Sequence, residues 1–169
     1  MNTIKRFLTI LVAAPFVLAA CSGAEAPTDA QAPTSIPPSL NRTSHETGTA
    51  AQATLDGLQL GVTASSECWA AVFGSGPNEI FMAASGYDND AAATAALTRV
   101  ESAMGKPSDR YKDFAARTIE YEPGFQVRDE KGRYTFVYAK GRWIVTIRTI
   151  VQNLPSGVTS VEWVPAVAS

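Results

Sequence analysis

The chain has 169 residues, which is enough for one folded domain once terminal segments are set aside. It carries 14 Lys and Arg residues against 16 Asp and Glu residues, and this formal net charge of −2 argues against a nucleic-acid partner, because such binding needs a clustered basic surface. Two cysteines, Cys21 and Cys68, are too few for a disulfide framework, and the single histidine, His45, removes most histidine-dependent mechanisms.

The first twenty residues have the pattern of an export signal. Lys5 and Arg6 precede fourteen residues, 7–20, that are almost all apolar. As a helix these fourteen would span about 21 Å, which is short of the ~30 Å hydrocarbon core of a membrane. A positive start, a short apolar run and small residues at its end therefore predict a signal peptide over residues 1–20 rather than a membrane span.

The end of that run, Leu18-Ala19-Ala20-Cys21, resembles the lipobox of bacterial lipoproteins. The resemblance covers residues 1–22 and implies that the Cys21 thiol receives a diacylglyceryl group, that the chain is cut before Cys21, and that Cys21 becomes the mature N-terminus. Two or three acyl chains make a persistent anchor, whereas one binds only marginally. Ser22, where an Asp would favour inner-membrane retention, favours the outer membrane if the source has one. The alternative is an ordinary signal peptide that ends near a cysteine.

Residues 21–55 predict a lipidated cysteine followed by a flexible tether. The stretch is rich in Ala, Pro, Thr, Ser and Gln, and residues 22–54 contain only Ile36 and Leu40 as apolar residues larger than alanine. Such a composition buries too little apolar area to offset the entropy of ordering the chain. His45 lies in this stretch, so we expect it to take no part in a rigid site. The folded domain is predicted to occupy residues 56–169.

A hairpin and a helix are the first predicted elements of this domain. Residues 68–73 and 79–84 are strand-like and flank a turn cluster. The cluster consists of Gly74, Ser75, Gly76, Pro77 and Asn78. The helix follows, with Asn89 or Asp90 as N-cap, Gly105 in the left-handed C′ position and Pro107 blocking continuation. Its apolar residues at helical spacing are Ala93, Ala96, Leu97, Val100 and Met104.

Beyond this helix we predict a shorter helix and then strands. The shorter helix has Ser108 as its cap and Tyr111, Phe114 and Ala115 facing inward. A four-stranded antiparallel meander is predicted over residues 117–151, with turns at Pro123-Gly124, at residues 129–132 and at Lys140-Gly141. A last strand is expected at residues 158–164. The predicted fold class is α+β: an antiparallel sheet of hairpin, helix and four-stranded meander, with one or two helices packed on one face.

The side chains of this domain that could carry catalysis each lack a needed partner or have a simpler explanation. Cys68 has no histidine in residues 56–169 to act as its base, so we interpret it as a small buried residue. Ser75 lacks both the nucleophile elbow and a base. Asp88-Asn89-Asp90 lacks the Gly and the distal Glu of a calcium loop, so capping explains it better. Glu120 and Glu122 share a strand face that is more typical of a hydrated surface than of an acid pair. We therefore expect no enzyme, no catalytic residue, no cofactor and no metal.

Aromatic and basic side chains supply the remaining signal. Tyr134, Phe136 and Tyr138 share one strand face by period two, and with Trp143 they form either an exposed recognition stripe or, as we favour, the core opposite the helix. Four arginines are placed on the other face or at the rims, as a surface for an anionic partner or as plain solvated charge. They are Arg128, Arg133, Arg142 and Arg148.

These features predict a lipid-anchored envelope lipoprotein whose small α+β domain is a non-catalytic binding or assembly module. Its expected partners are the membrane, through the N-terminal lipid, and an envelope protein or cell-wall component, but not nucleic acid. The alternative is an inhibitor of an envelope hydrolase or an immunity-type lipoprotein, with the loop 74–78 as the inserting element, and a carboxylate-only enzyme ranks last. The candidate partner-binding residues are Gly74, Ser75, Gly76, Pro77, Asn78 and Arg142, and the predicted location is the periplasmic or extracytoplasmic face of a membrane.

Overall fold

The computed structural model describes residues 35–36, 40–65, 67–119 and 121–152. The strands within them are β1 (Ser35–Ile36), β2 (Leu40–Thr47), β3 (Glu67–Phe73), β4 (Ile80–Gly86), β5 (Tyr111–Ile119), β6 (Glu122–Asp129), β7 (Tyr134–Lys140) and β8 (Trp143–Thr149). The helices are α1 (Gly48–Leu58) and α2 (Asp90–Met104). All neighbouring strands are antiparallel, in the order β1-β2-β3-β4-β8-β7-β6-β5. The predicted signal peptide, Cys21 and the predicted strand at 158–164 lie outside the described residues.

The predicted sheet architecture is wrong in its extent. The hairpin β3–β4 and the meander β5–β8 form one large antiparallel sheet rather than two separate parts, because β4 pairs with β8 from Phe81–Arg148 to Gly86–Trp143. Strand β2 extends this sheet to seven long strands, and the two-residue β1 adds an eighth. The class remains α+β. Pairing between β4 and β8 joins residues that are 57 to 67 positions apart in the sequence, and no local pattern encodes it.

Strand β2 and helix α1 lie within the stretch for which we predicted a flexible coil, and that expectation is wrong for residues 40–55. Strand β2 is an almost entirely exposed polar strand, which leaves no hydrophobic alternation to detect. Helix α1 buries only Ala51, Leu55 and Leu58, at i, i+4 and i+7. The spacing of these three residues is helical, but three apolar residues, one of them an alanine, do not stand out in a stretch rich in Ala and Thr.

Strand β5 occupies the place of the predicted second helix. The Ser108 hydroxyl accepts a hydrogen bond from the Tyr111 amide at 3.0 Å, but the chain that follows is extended. A bulge between Lys112 and Ala115, with Asp113 at a φ of 54°, interrupts the period-two alternation. Because of the extra residue, Tyr111, Phe114 and Ala115 follow one another at intervals that resemble those on one face of a helix. Strand β5 ends the sheet order, and no other described strand pairs with its outer edge.

The predicted turn at Pro123-Gly124 is wrong as well. The β5–β6 hairpin reverses two residues earlier, at Tyr121 with a φ of 70°, and Ile119 pairs with Glu122. Gly124 lies inside β6, where a Cβ atom would stand 2.4 Å from the Val137 carbonyl oxygen. The glycine is therefore required by the close approach of β7 and not by a turn.

Helix α2 matches its prediction. Ala93, Ala96, Leu97, Val100 and Met104 are all buried. The Asn89 side chain accepts a hydrogen bond from the Ala92 amide at 2.9 Å, which confirms the N-cap. Gly105 is not in the left-handed region, because its φ is −77°. A Cβ there would lie 2.7 Å from the Glu101 carbonyl oxygen and 3.0 Å from the Phe114 ring, and this crowding explains the glycine.

Both helices cover the same face of the sheet, while the predicted aromatic stripe lies on the other face. Helix α2 packs on Phe125, Val137 and Ile144, and helix α1 packs on residues of β3 and β4. Phe136 and Tyr138 are buried as predicted, but they belong to the cluster on the opposite face. Period two defines which residues share a face but not which face the helix covers. No described helix is long and apolar enough to cross a membrane.

Candidate functional site

Several chain segments converge at one end of the sheet. The pairs Phe81–Arg148 and Tyr111–Asp129 place the start of β4, the end of β8, the start of β5 and the end of β6 at this end. Helix α1 runs toward it and ends there at Leu58. Together these segments enclose a pocket of about 420 Å³. We call this the pocket end of the sheet. The lining residues are Leu58, Asp109, Arg110, Tyr111, Asp129, Glu130, Lys131, Arg133 and Arg148.

Arg148 is the most unusual side chain of the pocket. It projects from the helix-covered face of β8, half-buried, with its guanidinium 5.1 Å from the centre of the Phe81 ring. Burial, and secondly the charge of Arg133, lower the pKa of Arg148. No described residue forms a hydrogen bond or an ion pair with its guanidinium. A partly desolvated charge with unfilled donors is costly, and an acceptor supplied from outside would reduce that cost.

Asp129 and Arg133 neutralise each other in the wall of the pocket. Asp129 Oδ2 accepts hydrogen bonds from Arg133 Nε and Nη2, both at 2.7 Å. Asp129 Oδ1 accepts from the amides of Lys131 and Arg133, both at 2.9 Å. Burial alone would raise the pKa of Asp129, but these bonds hold it below its ordinary value of 3.8. The pair contributes no net charge to the pocket.

Arg110 and Tyr111 cap the end of helix α1. The Tyr111 hydroxyl donates to the Leu58 carbonyl oxygen at 2.5 Å, and Arg110 Nη2 donates to the carbonyl oxygen of Gly57. These carbonyls belong to the last turn of α1, where no intrahelical donor is available. Burial raises the pKa of Tyr111, so its hydroxyl stays protonated as a donor. The two side chains fix the position of the helix end that forms one wall of the pocket.

A buried hydrogen-bonded chain holds the segment after α1 against β8. Gln59 has no exposed surface, and its Nε2 donates to Thr146 Oγ1 at 3.0 Å. Its Oε1 accepts from Thr63 Oγ1 at 2.7 Å. Both polar ends of the Gln59 side chain are therefore hydrogen-bonded, which offsets the free energy lost on burying them and fixes the orientation of the side chain. Thr146 lies two residues before Arg148, so these hydrogen bonds also position strand β8, which carries the free guanidinium.

The remaining charges give the pocket a positive balance. Apart from the Asp129–Arg133 pair, the lining has three cations, Arg110, Lys131 and Arg148. It has two further carboxylates, Asp109 and Glu130, so that three positive minus two negative charges leave a net +1. Both of these residues are exposed, whereas Arg148 is half-buried. The arrangement suits an oxyanion, because charge-assisted bonds to a partly buried guanidinium are among the stronger polar contacts.

The sequence-predicted loop lies at the same end but outside this pocket. Gly74 has a φ of 72°, and its amide donates to the Asn41 carbonyl oxygen at 2.9 Å. Ser75 is exposed and precedes a short 3₁₀ turn, Gly76–Asn78, whose residues are exposed too. The loop adjoins the start of β2 and presents its polar atoms to solvent. None of its five residues lines the pocket.

Arg142 lies at the opposite end of the sheet, so the structure does not bring it together with the loop 74–78. Arg142 Nη2 donates to Glu67 Oε2 at 2.7 Å, and Nη1 donates to the Tyr87 carbonyl oxygen at 2.8 Å. Its guanidinium lies 4.7 Å from the centre of the Trp143 ring. The side chains of the ion pair are only 20% and 15% exposed. These contacts fasten the β7–β8 turn to β3 and engage both terminal nitrogens of the Arg142 guanidinium.

Cys68 is buried, which confirms its interpretation as a small core residue. Its Sγ donates to the Ser65 carbonyl oxygen at 3.3 Å. Burial raises the pKa of the thiol from 9.0 to about 11. The thiolate, which is the nucleophile, is therefore scarce at neutral pH.

Sequence reasoning found two of the pocket residues and missed most of the others. Arg133 and Arg148 were both placed among arginines for an anionic partner, and Tyr111 was expected to face inward from a helix. The pairing of Asp129 with Arg133 and the position of Lys131 follow from the β6–β7 loop. Their only signal is the charged run of residues 128–133, whose spacing does not distinguish a pocket from a solvated turn.

The described residues offer no metal site, and they include only part of the predicted acid pair. Across the part of the chain that the structure describes, no three His, Cys, Asp or Glu side chains are grouped so that they could hold a metal ion. Glu122 is half-buried at the start of β6, whereas Glu120 lies outside the described side chains, so the pair stays a prediction. No protein-family model matches the chain, and neither a curated protein nor a solved structure matches it.

Proposed function

We propose that this protein is a lipid-anchored, non-catalytic binding module on the extracytoplasmic face of a bacterial membrane, and that the pocket is its binding site. The observation that carries the binding role is Arg148, a half-buried guanidinium that faces a 420 Å³ pocket without a partner among the described residues. A half-buried arginine without a partner is costly for a fold, and the network around Gln59 and Asp129 holds the walls beside it in place.

The anchor is supported by the first 22 residues alone. A lipobox at Leu18–Cys21 after a short apolar run is the pattern of a diacylated cysteine, and Ser22 favours the outer membrane where the source has one. The partner would then be an envelope protein or a cell-wall component within reach of the membrane. This location requires no property of the folded domain, so the two parts of the proposal are tested separately.

The anchor is tested with Cys21→Ser, and Cys68→Ser serves as the matched control. Both variants remove one of the two thiols, but only Cys21 lies in the lipobox. We expect Cys21→Ser to lose labelling by a radioactive fatty acid and to leave the membrane fraction, while Cys68→Ser keeps both. If Cys21→Ser stays membrane-bound with unchanged processing, the anchor is refuted.

The binding role is tested by capture from a solubilised envelope extract. Chemical cross-linking is compared between the wild-type chain, Arg148→Gln and the control Arg99→Gln, since Arg99 is an exposed cation of α2 outside the pocket. We expect Arg148→Gln to lose cross-linked species that Arg99→Gln retains. Identical cross-linking patterns for the two variants would remove the pocket from the proposal.

Inhibition of an envelope hydrolase is a second candidate function, favoured by the exposed loop 74–78. Its 3₁₀ turn projects at the end of a rigid hairpin, which is the geometry of an inserting loop. We would add the chain to purified cell-wall hydrolases and compare it with a variant in which Pro77 and Asn78 are both alanine. Equal activity of every hydrolase with and without the chain would exclude this role.

A further inference from the structure

We propose that the pocket binds the phosphate group of an anionic phospholipid in the same membrane that anchors the chain. This inference rests on the proposed function, because it names the ligand of that binding site. Its chemistry is a phosphate ester on a partly buried guanidinium, and a water-soluble phosphate shares that chemistry. The membrane is favoured as the source because of where the chain joins the sheet.

The ligand class follows from Arg148. A guanidinium offers five N–H donors in a planar fork that matches two phosphate oxygens. The Phe81 ring packs on it at 5.1 Å, and no described side chain supplies an acceptor. Lys131 is exposed at the rim of the same pocket and adds a second cation, whose ammonium group makes no hydrogen bond or ion pair with the described residues. A phosphate group between the two would satisfy both.

The dimensions of the pocket favour a headgroup over a bare ion. At about 420 Å³ the pocket falls in the size range of small-molecule sites and has room for more than a bare phosphate ion. Leu58 and Tyr111 give part of the wall an apolar character, which excludes water from one side of the phosphate and strengthens its contact with Arg148. A glycerol or similar group attached to the phosphate would fill the remaining space.

The placement of the pocket points to the membrane. The chain enters the sheet through β1, and Ser35 pairs with Asn41, whose carbonyl oxygen is bonded to Gly74 at the pocket end. Fourteen residue steps lead from Cys21 to Ser35, a reach of at most about 50 Å at ~3.5 Å per step. Arg142 lies at the other end of β8, about 20 Å further along the strand. Strand β1 lies at this end too, four strands from β8 in the sheet order and so about 19 Å away at ~4.8 Å per strand, which puts the pocket within reach of the anchor.

The test measures the acylation rate of Lys131 by mass spectrometry on the full lipidated chain. Three conditions are compared: neutral maltoside micelles, the same micelles with glycerol 3-phosphate, and vesicles of phosphatidylglycerol. Lys112, which is exposed on β5 outside the pocket, is the internal reference, and alkylation of buried Cys68 reports that each variant stays folded. The variants are Arg148→Gln and the control Arg99→Gln.

We expect the vesicles to slow Lys131 acylation about tenfold relative to Lys112, as for a site that is nine-tenths occupied. Arg148→Gln should weaken phosphate binding about tenfold and largely abolish the protection, whereas Arg99→Gln should retain it. Protection by glycerol 3-phosphate but not by vesicles would overturn the membrane source and assign the pocket to a soluble phosphate. Protection in vesicles that survives Arg148→Gln would overturn the site, because it would be shielding by the surface alone.

Failure of this inference is distinguishable from failure of the proposed function. If neither vesicles nor glycerol 3-phosphate protect Lys131, phosphate binding is wrong, while the Cys21→Ser localisation and the Arg148-dependent cross-links still report on the anchored binding module. If Cys21→Ser remains membrane-bound, the anchor is wrong, and protection by glycerol 3-phosphate still reports on the pocket.

Discussion

Gly124→Ala tests whether the sheet has the register described above. A Cβ at this position would lie 2.4 Å from the Val137 carbonyl oxygen and 2.8 Å from Tyr138 Cβ. Both neighbours belong to the backbone, or to its first side-chain atom, of the paired strand β7, so no side-chain rotation relieves the clash. Separations below about 3.0 Å are essentially not observed for a Cβ, and β7 would have to move by more than half an ångström.

The expected cost is a loss of about 2–4 kcal/mol in the free energy of unfolding, since overpacking of a rigid site costs 1–3 kcal/mol and strained ladder bonds add to it. Gly57→Ala is the matched control. Gly57 lies in α1 with no atom within 4 Å of its Cβ position. We expect this change to raise the free energy of unfolding by about 0.5–1 kcal/mol, as glycine is a poor helix residue.

Urea unfolding followed by tryptophan fluorescence gives both values from the same chemical change, Gly to Ala. For a domain of this size, the loss at Gly124 corresponds to a fall in Tm of about 10 °C. A Gly124→Ala chain within 1 kcal/mol of wild type would refute the close approach of β6 and β7. Such a result would instead fit a Pro123-Gly124 turn with open space around it.

Three further predictions concern ionisable groups. At pH 8 we expect alkylation of Cys68 to be about 100-fold slower in the folded than in the unfolded chain, since a pKa raised from 9.0 to about 11 lowers the thiolate fraction by that factor. Equal alkylation rates in the two states would contradict the burial of Cys68. The Asp129 pKa lies below 3.8 in the folded state, so the contribution of Asp129 to stability is present above pH 4 and is lost as pH falls through the folded pKa. Asp129→Asn should therefore flatten the pH dependence of the free energy of unfolding, measured in urea between pH 5 and pH 3. An unchanged pH dependence would argue against the Arg133 contacts. Arg142→Met should lower the free energy of unfolding by about 2 kcal/mol or more, because it leaves the Glu67 carboxylate unpaired. The control Arg99→Met should change the free energy of unfolding by less than ~0.5 kcal/mol. Similar values for the two variants would show that Arg142 does not make its contacts with Glu67 and Tyr87.

Elements with an uninterrupted local pattern were predicted well. Helix α2 has five apolar residues at helical spacing and an asparagine cap, and the structure confirms both. The β7–β8 hairpin alternates without a break and keeps a two-residue turn, although the turn lies one residue later, at Gly141-Arg142. In both cases the information lies within about twenty neighbouring residues.

Elements with an interrupted pattern, or with contacts far along the chain, were predicted poorly. The bulge at Asp113 gave β5 a spacing that resembles a helix, and β2 has no apolar alternation because it is almost wholly exposed. The pocket combines Leu58, Tyr111, Lys131 and Arg148, which are scattered over ninety residues. Only the sheet order brings them together, and that order depends on the β4–β8 pairing, which has no local signature.

If the chain is anchored as proposed, the shape of strand β5 affects whether neighbouring copies on one membrane can pair through their sheet edges. Molecules held on a lipid surface diffuse in two dimensions with a common orientation, so their sheet edges meet far more often than in free solution. A straight apolar edge would then template pairing from one copy to the next. The edge of β5 is instead bent at Asp113 and carries the exposed charges of Lys112 and Arg117. Under the proposed anchor, an edge that is bent and charged in this way would let copies lie side by side on the lipid without their sheets pairing.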